Sequence, residues 1–369
     1  MKGIECIELR KFITEYKQKN EKNEFKPVAV GKYGIRTRES IYSKELAKDY
    51  SKNKIIFKNT LTVGMGSRQI DIGILTDDVI YSVSPAYHTY KISDINADYL
   101  RYCLMCRNED MFKRFVKRGS RQGKSIDLKR WLEYEIPVYD VCNQEKIVLK
   151  LNKVTNVISM RKQQLQKLDE LIQARFVEMF GGLHNSKLYP YVSIETFTDV
   201  TSGGTPNRNT KEYWENGNIR WVKTTELHNN FITDTEEYIT RKGIDNSSAK
   251  VIPAHSILVA MYGQGKTRGM TGYLLKECTT NQACACILPC KRVDQKYLWY
   301  YMILSYDKLR GMAKGGNQPN LNIGIIKRFQ VLVPPIELQN QFAAFVNQVN
   351  KSKLVIKNLL QIYKHQIQM

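Results

Sequence analysis

Residues 313–341 read "AKGGNQPNLNIGIIKRFQVLVPPIELQNQ". A polar run rich in Gly, Asn, Gln and Pro passes into an apolar run, and two prolines stop it. A second stretch, 116–144, "VKRGSRQGKSIDLKRWLEYEIPVYDVCNQ", follows the same plan. Lys117, Gly119, Ile126, Pro137, Asn143 and Gln144 match Lys314, Gly316, Ile323, Pro334, Asn340 and Gln341, each 197 positions later. "LTVGMG" (61–66) and "LVAMYG" (258–263) keep that offset, and "DYLRYCL" and "KYLWYYM" match after a one-residue shift. A fixed offset over separated blocks predicts one unit written twice, with no gap between the copies.

Each copy has the same predicted order. A mostly β region comes first, with "NKIIFKNTLTVGM" and "SAKVIPAHSILVAMY" carrying the β-branched content of strands. A helix follows, "NADYLRYCLMCRNEDMFKRFV" or "DQKYLWYYMILSYDKLRGM". Then come a polar loop, an apolar strand, the proline stop and a long helix. In the first long helix Ile147, Leu151, Val154, Ile158, Arg161, Leu165, Leu168, Ile172, Arg175 and Met179 alternate in steps of four and three. In the second, Phe342, Val346, Val349, Lys353, Ile356, Leu360, Tyr363 and Ile367 do the same. This spacing is a coiled-coil seam with a few charged interruptions. A helix over 143–179 is roughly 55 Å long at 1.5 Å per residue, against about 35 Å for a domain of some 140 residues. Such rods pack better on each other than each on its own domain, and Gly181 and Gly182 would end the first.

Lys and Arg outnumber Asp and Glu by 57 to 36, a formal charge of +21 in 369 residues. That excess favours an anionic partner, nucleic acid above all. No apolar run suits a spanning helix, and "MKGIECIELRKF" lacks the apolar core of a signal peptide. The eight cysteines then predict reduced thiols and a cytoplasmic location, with no membrane partner.

Few motifs point to catalysis. "AMYGQGKT" (260–267) fits a loose phosphate-binding loop, but "RGMTGYLL" follows it instead of a helix. A glycine-rich hairpin loop is the better reading. Cys103 and Cys106 form a CxxC inside a helical pattern, without two further ligands at zinc spacing. Cys284 and Cys286 alternate with alanines as a buried strand does. The five histidines form no cluster, and no methyltransferase tetrapeptide, GxGxxG or Pro-Asp dipeptide occurs. No catalytic or metal-binding residue is therefore assigned.

Basic and amide residues collect instead on loops at equivalent places in the two copies. The candidates for DNA contact are Arg68, Gln69, Arg118, Arg121, Gln122 and Lys124 in the first copy. In the second they are Tyr262, Gln264, Lys266, Arg268, Lys314, Asn317, Gln318 and Asn320. Arg and Lys bind phosphate or guanine edges, while Asn and Gln pair with adenine. Similar frames with different loop chemistry suit readers of two different sequences.

The chain resembles the specificity subunit of type I restriction-modification enzymes over nearly its whole length. The resemblance rests on "VTSGGTPNRNTKEYWENGNIRWVKTTEL" (200–227), "NSSAKVIPAHSILVAMYG" (246–263), "TTNQACACI" (279–287), "GGNQPNLNIGIIKRFQVLVPP" (315–335) and "ELQNQFAAFVNQV" (337–349). The first copy has no "SGGTP" and begins "KPVAVGKYGIRTRES" (26–40), so the role of that motif does not carry over to it.

The resemblance implies an α+β chain with two similar mixed α/β target-recognition domains, 1–140 and 183–335. They are separated by two long helices, 141–182 and 336–369, packed as an antiparallel coiled coil. It implies a non-catalytic reader of bipartite double-stranded DNA. Two methyltransferase (modification) subunits would dock on it, and restriction (endonuclease/translocase) subunits would join. No cofactor would be bound by this chain; S-adenosylmethionine, ATP and Mg would serve the partners. A type IIB-like system, a self-contained DNA-modifying enzyme and an RNA-binding or scaffold protein remain alternatives.

Overall fold

The computed structural model describes residues 5–32, 34–41, 49–119, 123–263, 265–313 and 320–368, without the side chains of 118, 119 and 364–368. The chain forms two compact units. Residues 1–161 with 359–369 make unit one, and 162–358 make unit two. Among the described residues no helix is long and apolar enough to cross a membrane.

Unit one begins with strands β1 (Glu5–Glu8), β2 (Ile13–Tyr16), β3 (Val28–Gly31), β4 (Gly34–Thr37), β5 (Lys54–Ile56), β6 (Thr60–Met65), β7 (Ile70–Leu75), β8 (Tyr81–Val83) and β9 (His88–Ile92). Then follow α1 (Ala97–Cys106), α2 (Asn108–Phe115), β10 (Val116–Gly119), β11 (Gly123–Ile126), α3 (Leu128–Trp131), β12 (Glu135–Val138) and the long α4 (Val141–Phe180), which belongs to unit two from residue 162 on. The central sheet is antiparallel, ordered β2-β9-β6-β7. Its core joins Leu61, Val63, Ile70 and Ile72 to Leu100 and Leu104 of α1 and to Trp131 of α3.

Unit two carries β13 (Tyr191–Ser193), β14 (Val200–Ser202), β15 (Ile219–Val222), β16 (Asn230–Ile232), β17 (Glu237–Ile239), α5 (Arg241–Asp245), β18 (Ile257–Ala260), β19 (Thr271–Leu274), β20 (Thr279–Thr280) and β21 (Cys284–Ile287). α6 (Gln295–Leu304), α7 (Tyr306–Gly311), α8 (Ile323–Lys327), β22 (Gln330–Leu332) and α9 (Ile336–Gln368) as far as residue 358 complete it. Its sheet, β14-β21-β18-β19-β16, repeats the order of unit one and adds a parallel edge strand. The pairing of β13 with β22 likewise repeats that of β1 with β12. Cys284 and Cys286 lie buried in β21, where their alternation with alanine placed them.

The duplication is real, but its register is not constant. Asn96 and Asp294, 198 positions apart, cap α1 and α6 by accepting from Tyr99 N at 3.0 Å and Tyr297 N at 2.8 Å. Tyr99 and Tyr297 then donate their hydroxyls to Pro137 O at 2.7 Å and Leu332 O at 2.8 Å, acceptors 195 positions apart. Gln144 accepts from Asn96 N at 3.0 Å and donates to Tyr139 O at 2.7 Å. Its counterpart is Gln339, which accepts from Asp294 N at 2.9 Å and donates to Pro334 O at 2.7 Å. The identities at offset 197, Pro137 with Pro334 and Gln144 with Gln341, are therefore not structural equivalents. From Asn108, the first residue of α2, to Asp127, the cap of α3, unit one is three residues longer than unit two is from Tyr306 of α7 to Asn322, the cap of α8, which is the difference between offsets of 198 and 195.

Other expectations change in detail. The helix expected over 96–116 is two helices broken at Arg107, and that over 294–312 breaks at Ser305. The polar loop expected at 117–125 is flanked by paired strands, with Val116 opposite Ile126 and Arg118 opposite Lys124. The apolar run after Asn322 begins as a helix, because the Asn322 side chain accepts from Ile325 N at 2.9 Å and caps α8. Asp127 caps α3 at the matching place. The strand occupies only Gln330–Leu332.

The seams are occupied as their spacing predicts. From Ile147 to Met179 and from Phe342 to Tyr363 every seam residue is buried or half-buried. Gly181 and Gly182 end α4 with φ of +74° and +128°. Within unit two, Phe342 packs edge-on against Phe176 at 5.4 Å and Phe180 at 5.8 Å. Arg175 covers the Phe345 ring, and Lys353 pairs with Asp169. Rising numbers in α9 thus meet falling numbers in α4, an antiparallel pair. Ile172, Phe342, Val346 and Val349 of the seams also join the core of unit two, so this part of the seam serves both the helix pair and the globular unit.

Gln339 is 1% exposed and satisfies two buried backbone groups. Gln339→Ala strands both and is expected to cost about 2 to 3 kcal/mol, read as a lower chemical-denaturation midpoint. A midpoint equal to that of the parent chain contradicts the clamp.

Candidate nucleic-acid interface

In each unit one end of the central sheet gathers the predicted loops. In unit one, residues 66–69 join β6 to β7 in a tight turn closed by Gly66 N donating to Gln69 O at 3.1 Å. Asn108, the first residue of α2, grips this turn. It accepts from Ile70 N at 3.1 Å and donates to Ile70 O at 2.8 Å. Lys124 reaches over from β11, donates to Ser67 O at 2.6 Å and lies over the Phe112 ring. Arg68 and Lys124 are exposed and Gln69 is half-buried. Gln69 hydrogen-bonds Asp71, whose carboxyl burial pushes above its usual range.

In unit two the corresponding loop, 261–270, joins β18 to β19 and is longer. The chain returns as strand β19 after it, as a hairpin requires and a phosphate-binding loop does not. Tyr306, which stands in α7 where Asn108 stands in α2, donates its hydroxyl to Lys266 O at 2.7 Å. Arg310 donates to Arg268 O at 2.6 Å and to Gly265 O at 2.9 Å. The same helix position holds the loop in both units, by an amide in one and a phenol in the other. Tyr262 and Lys266 are exposed, and Arg268 and Asn320 are half-buried. Leu321 N donates to Met261 O at 3.0 Å, which brings the 320 region to the hairpin base.

Arg121, Gln122, Gln264, Lys314, Asn317 and Gln318 lie outside the described residues. Arg118 is described only in its backbone, within β10.

One neighbour was missed by the sequence reading. Met261 N donates to Ala283 O at 2.8 Å, so residues 281–283 sit beside the hairpin. Gln282 is exposed there, and Thr205 of the "SGGTP" segment donates to its Oε1 at 2.7 Å. The motif containing Gln282, "TTNQACACI", was visible; its proximity to the loops depends on strand pairing.

Burial pushes the thiol of Cys284 up to about 12 and that of Cys286 well above its usual value. Among the described residues no group of three or more His, Cys, Asp or Glu could hold a metal ion.

A family model described as the type I restriction modification DNA specificity domain matches residues 7–170 and again 188–362. The chain belongs to this family. The two matches fall on the two copies and include most of each long helix. The specificity subunit of the Escherichia coli type I restriction enzyme EcoR124I/EcoR124II is 32% identical over 149 residues, 39% of this chain and 37% of that protein. The chain thus spans less than half the length of the curated relatives it matches. A chain from a structure concerning complex assembly and conformational transition of the type I R-M system aligns with a TM-score of 0.56. It is 16% identical and covers 100% of this chain and 96% of that one. The type I restriction-modification S subunit from M. genitalium aligns at 0.54 and 12% identity, over 99% and 94% of the two chains. At those identities the likeness is one of fold.

Arg310→Ala removes two of the three side-chain hydrogen bonds that hold the unit-two hairpin and leaves that of Tyr306. Amide hydrogen exchange within 265–269 is expected to speed up about tenfold or more, with the interiors of β18 and β19 unchanged. Unaltered exchange in the loop would show that Arg310 does not hold it.

Proposed function

We propose that this chain is the non-catalytic DNA-specificity subunit of a type I restriction-modification complex. Each unit reads one half of a bipartite double-stranded site, and the paired long helices set the distance between the halves. The observation that carries this reading is the duplicated frame with unlike loops at the same sheet end, 66–69 held by Asn108 and 261–270 held by Tyr306 and Arg310. One frame with two loop chemistries suits two different half-sites. The family match in both copies and the +21 charge support it. A rigid helical spacer suits half-sites at a fixed separation, about 34 Å for each turn of duplex.

Methyltransferase subunits dock on the long helices in this reading, and restriction subunits join them. Leu149, Met160, Leu171 and Val177 of α4 and Leu354 and Val355 of α9 are large apolar residues left exposed, as a docking face requires. S-adenosylmethionine, ATP and Mg belong to the partners' chemistry. The chain works in the cytoplasm, where its DNA and partners are.

Selection from randomised duplexes by the assembled complex is expected to return two fixed blocks with a constant spacer. A single block, or none, overturns the two-reader reading. Lys266→Ala is expected to weaken binding about equally for all sequences and to lower the slope of log K against log salt by about 1. An unchanged slope would remove Lys266 from the phosphate contacts.

A further inference from the structure

In unit one, β3 and β4 form a two-stranded ribbon of their own, outside the central sheet. Val28 pairs with Thr37, Ala29 with Arg36, Val30 with Ile35 and Gly31 with Gly34. The ribbon is seated on β7. A Cβ on Gly73 would stand 2.6 Å from Ile35 Cγ1 and 2.9 Å from Val30 Cγ1, so glycine lets the two surfaces meet. Val28 and Val30 are buried. Side chains alternate along a strand, so Ala29 and Arg36 face away from β7, and Arg36 is exposed.

The pairing fixes which way the ribbon points. Pro27 bridges Ser82 of β8 in parallel, and Ser82 N donates to Lys26 O at 2.9 Å. β8 starts after β7 has finished at Leu75 and leads to His88, which opposes Val63 where β9 begins. β3 therefore runs towards the end of the sheet that carries the 66–69 turn. Tyr87 marks how far it has come at Val30. A Cβ on Gly64 would stand 2.3 Å from the Tyr87 ring, and the Tyr87 hydroxyl donates to Val30 O at 2.9 Å. Gly64 opposes Asp71, one pair before the last of the β6–β7 ladder, Met65 with Ile70. The chain continues past Val30 at about 3.3 Å per residue and brings Lys32, which is exposed, to the same end of the unit as Arg68 and Lys124. Gly34, at a φ of +76°, turns it back. In unit two the outer neighbour of β19 is instead the parallel strand β16.

We propose that the β3–β4 ribbon is a second DNA-contacting element of unit one, with Lys32 and Arg36 on phosphates beside the 66–69 turn. A ribbon of two strands is narrow enough to follow a groove of the duplex. Cations on a firmly seated element fix the register of a reader on DNA without reading bases themselves. The inference rests on the DNA-reading function proposed above. It adds an element that comparing equivalent loops does not reveal, because unit two has a different strand in that place.

The test is binding of the full-length chain, assembled with its methyltransferase subunits, to duplexes bearing the site that the parent selects from randomised DNA. Log K is followed against log salt for the parent, Lys32→Ala, Arg36→Ala, the double variant and Lys26→Ala. Lys32→Ala and Arg36→Ala are each expected to lower the slope by about 1, and the double variant by about 2, with base preferences unchanged. Lys26 stands at the opposite end of the ribbon with its side chain 79% exposed, and Lys26→Ala is expected to leave the slope as it is. Thermal melting checks that the variants fold; should one tip variant not fold, the other decides alone.

If the parent selects a bipartite site and the tip variants keep its slope, or Lys26→Ala lowers the slope as much as they do, the inference falls while the function stands. A loss confined to one base position overturns it too, because the residue is then a reader of that base and not a phosphate contact. If the parent selects no sequence, both fall.

Discussion

One buried glutamine in each unit joins the globular part to the long helix that follows it. Gln144 and Gln339 each bridge the N-cap backbone of a core helix and the carbonyl that precedes α4 or α9. A buried amide with both ends satisfied is costly to displace, because each lost partner leaves a desolvated backbone group. The direction in which each long helix leaves its unit is thus tied to the core. Tyr102 and Tyr300 add a second tie, their hydroxyls meeting Asn152 of α4 and Asn350 of α9. These contacts stiffen the joint between each globular part and the long helix that follows it.

The same constraint accounts for what could be read in the sequence. The 4,3 spacing of the seams is a property of the helix alone, so it was legible without tertiary knowledge and every described seam residue is buried or half-buried. The duplication was legible too, but its register was not. Short identities such as Pro137 with Pro334 suggested one offset, whereas the hydrogen bonds of Gln144 and Gln339 and the caps of α3 and α8 show a shift of three residues between Asn108 and Asp127. Sequence identity weighs prolines and glutamines alike; structure weighs those that close a hydrogen-bonded joint. The broken helices were illegible for a related reason. Arg107 and Ser305 are residue types compatible with helix, yet their backbones leave the helical region, at φ −99°, ψ 6° and φ −84°, ψ 8°.

The candidate site was legible as a set of loops rather than as a surface. Composition singled out 66–69 and 262–269, and both lie at the same end of equivalent sheets. Composition did not find the residues that hold those loops. Asn108, Tyr306 and Arg310 sit in helices, far away in sequence from what they bind, and nothing in their local pattern marks them. Gln282 was hidden in the same way, since only the pairing of β18 with β21 puts it beside the hairpin.

These anchors indicate how such a frame can change its loops without losing its fold. Asn108 and Tyr306 occupy one helix position and both hold backbone groups of the loop, so neither depends on the loop's side chains. Arg310 likewise binds only carbonyls. A loop held by its backbone is free to vary the side chains it presents, and the buried cores beneath pay nothing for the variation. Loops 66–69 and 261–270 can therefore diverge residue by residue.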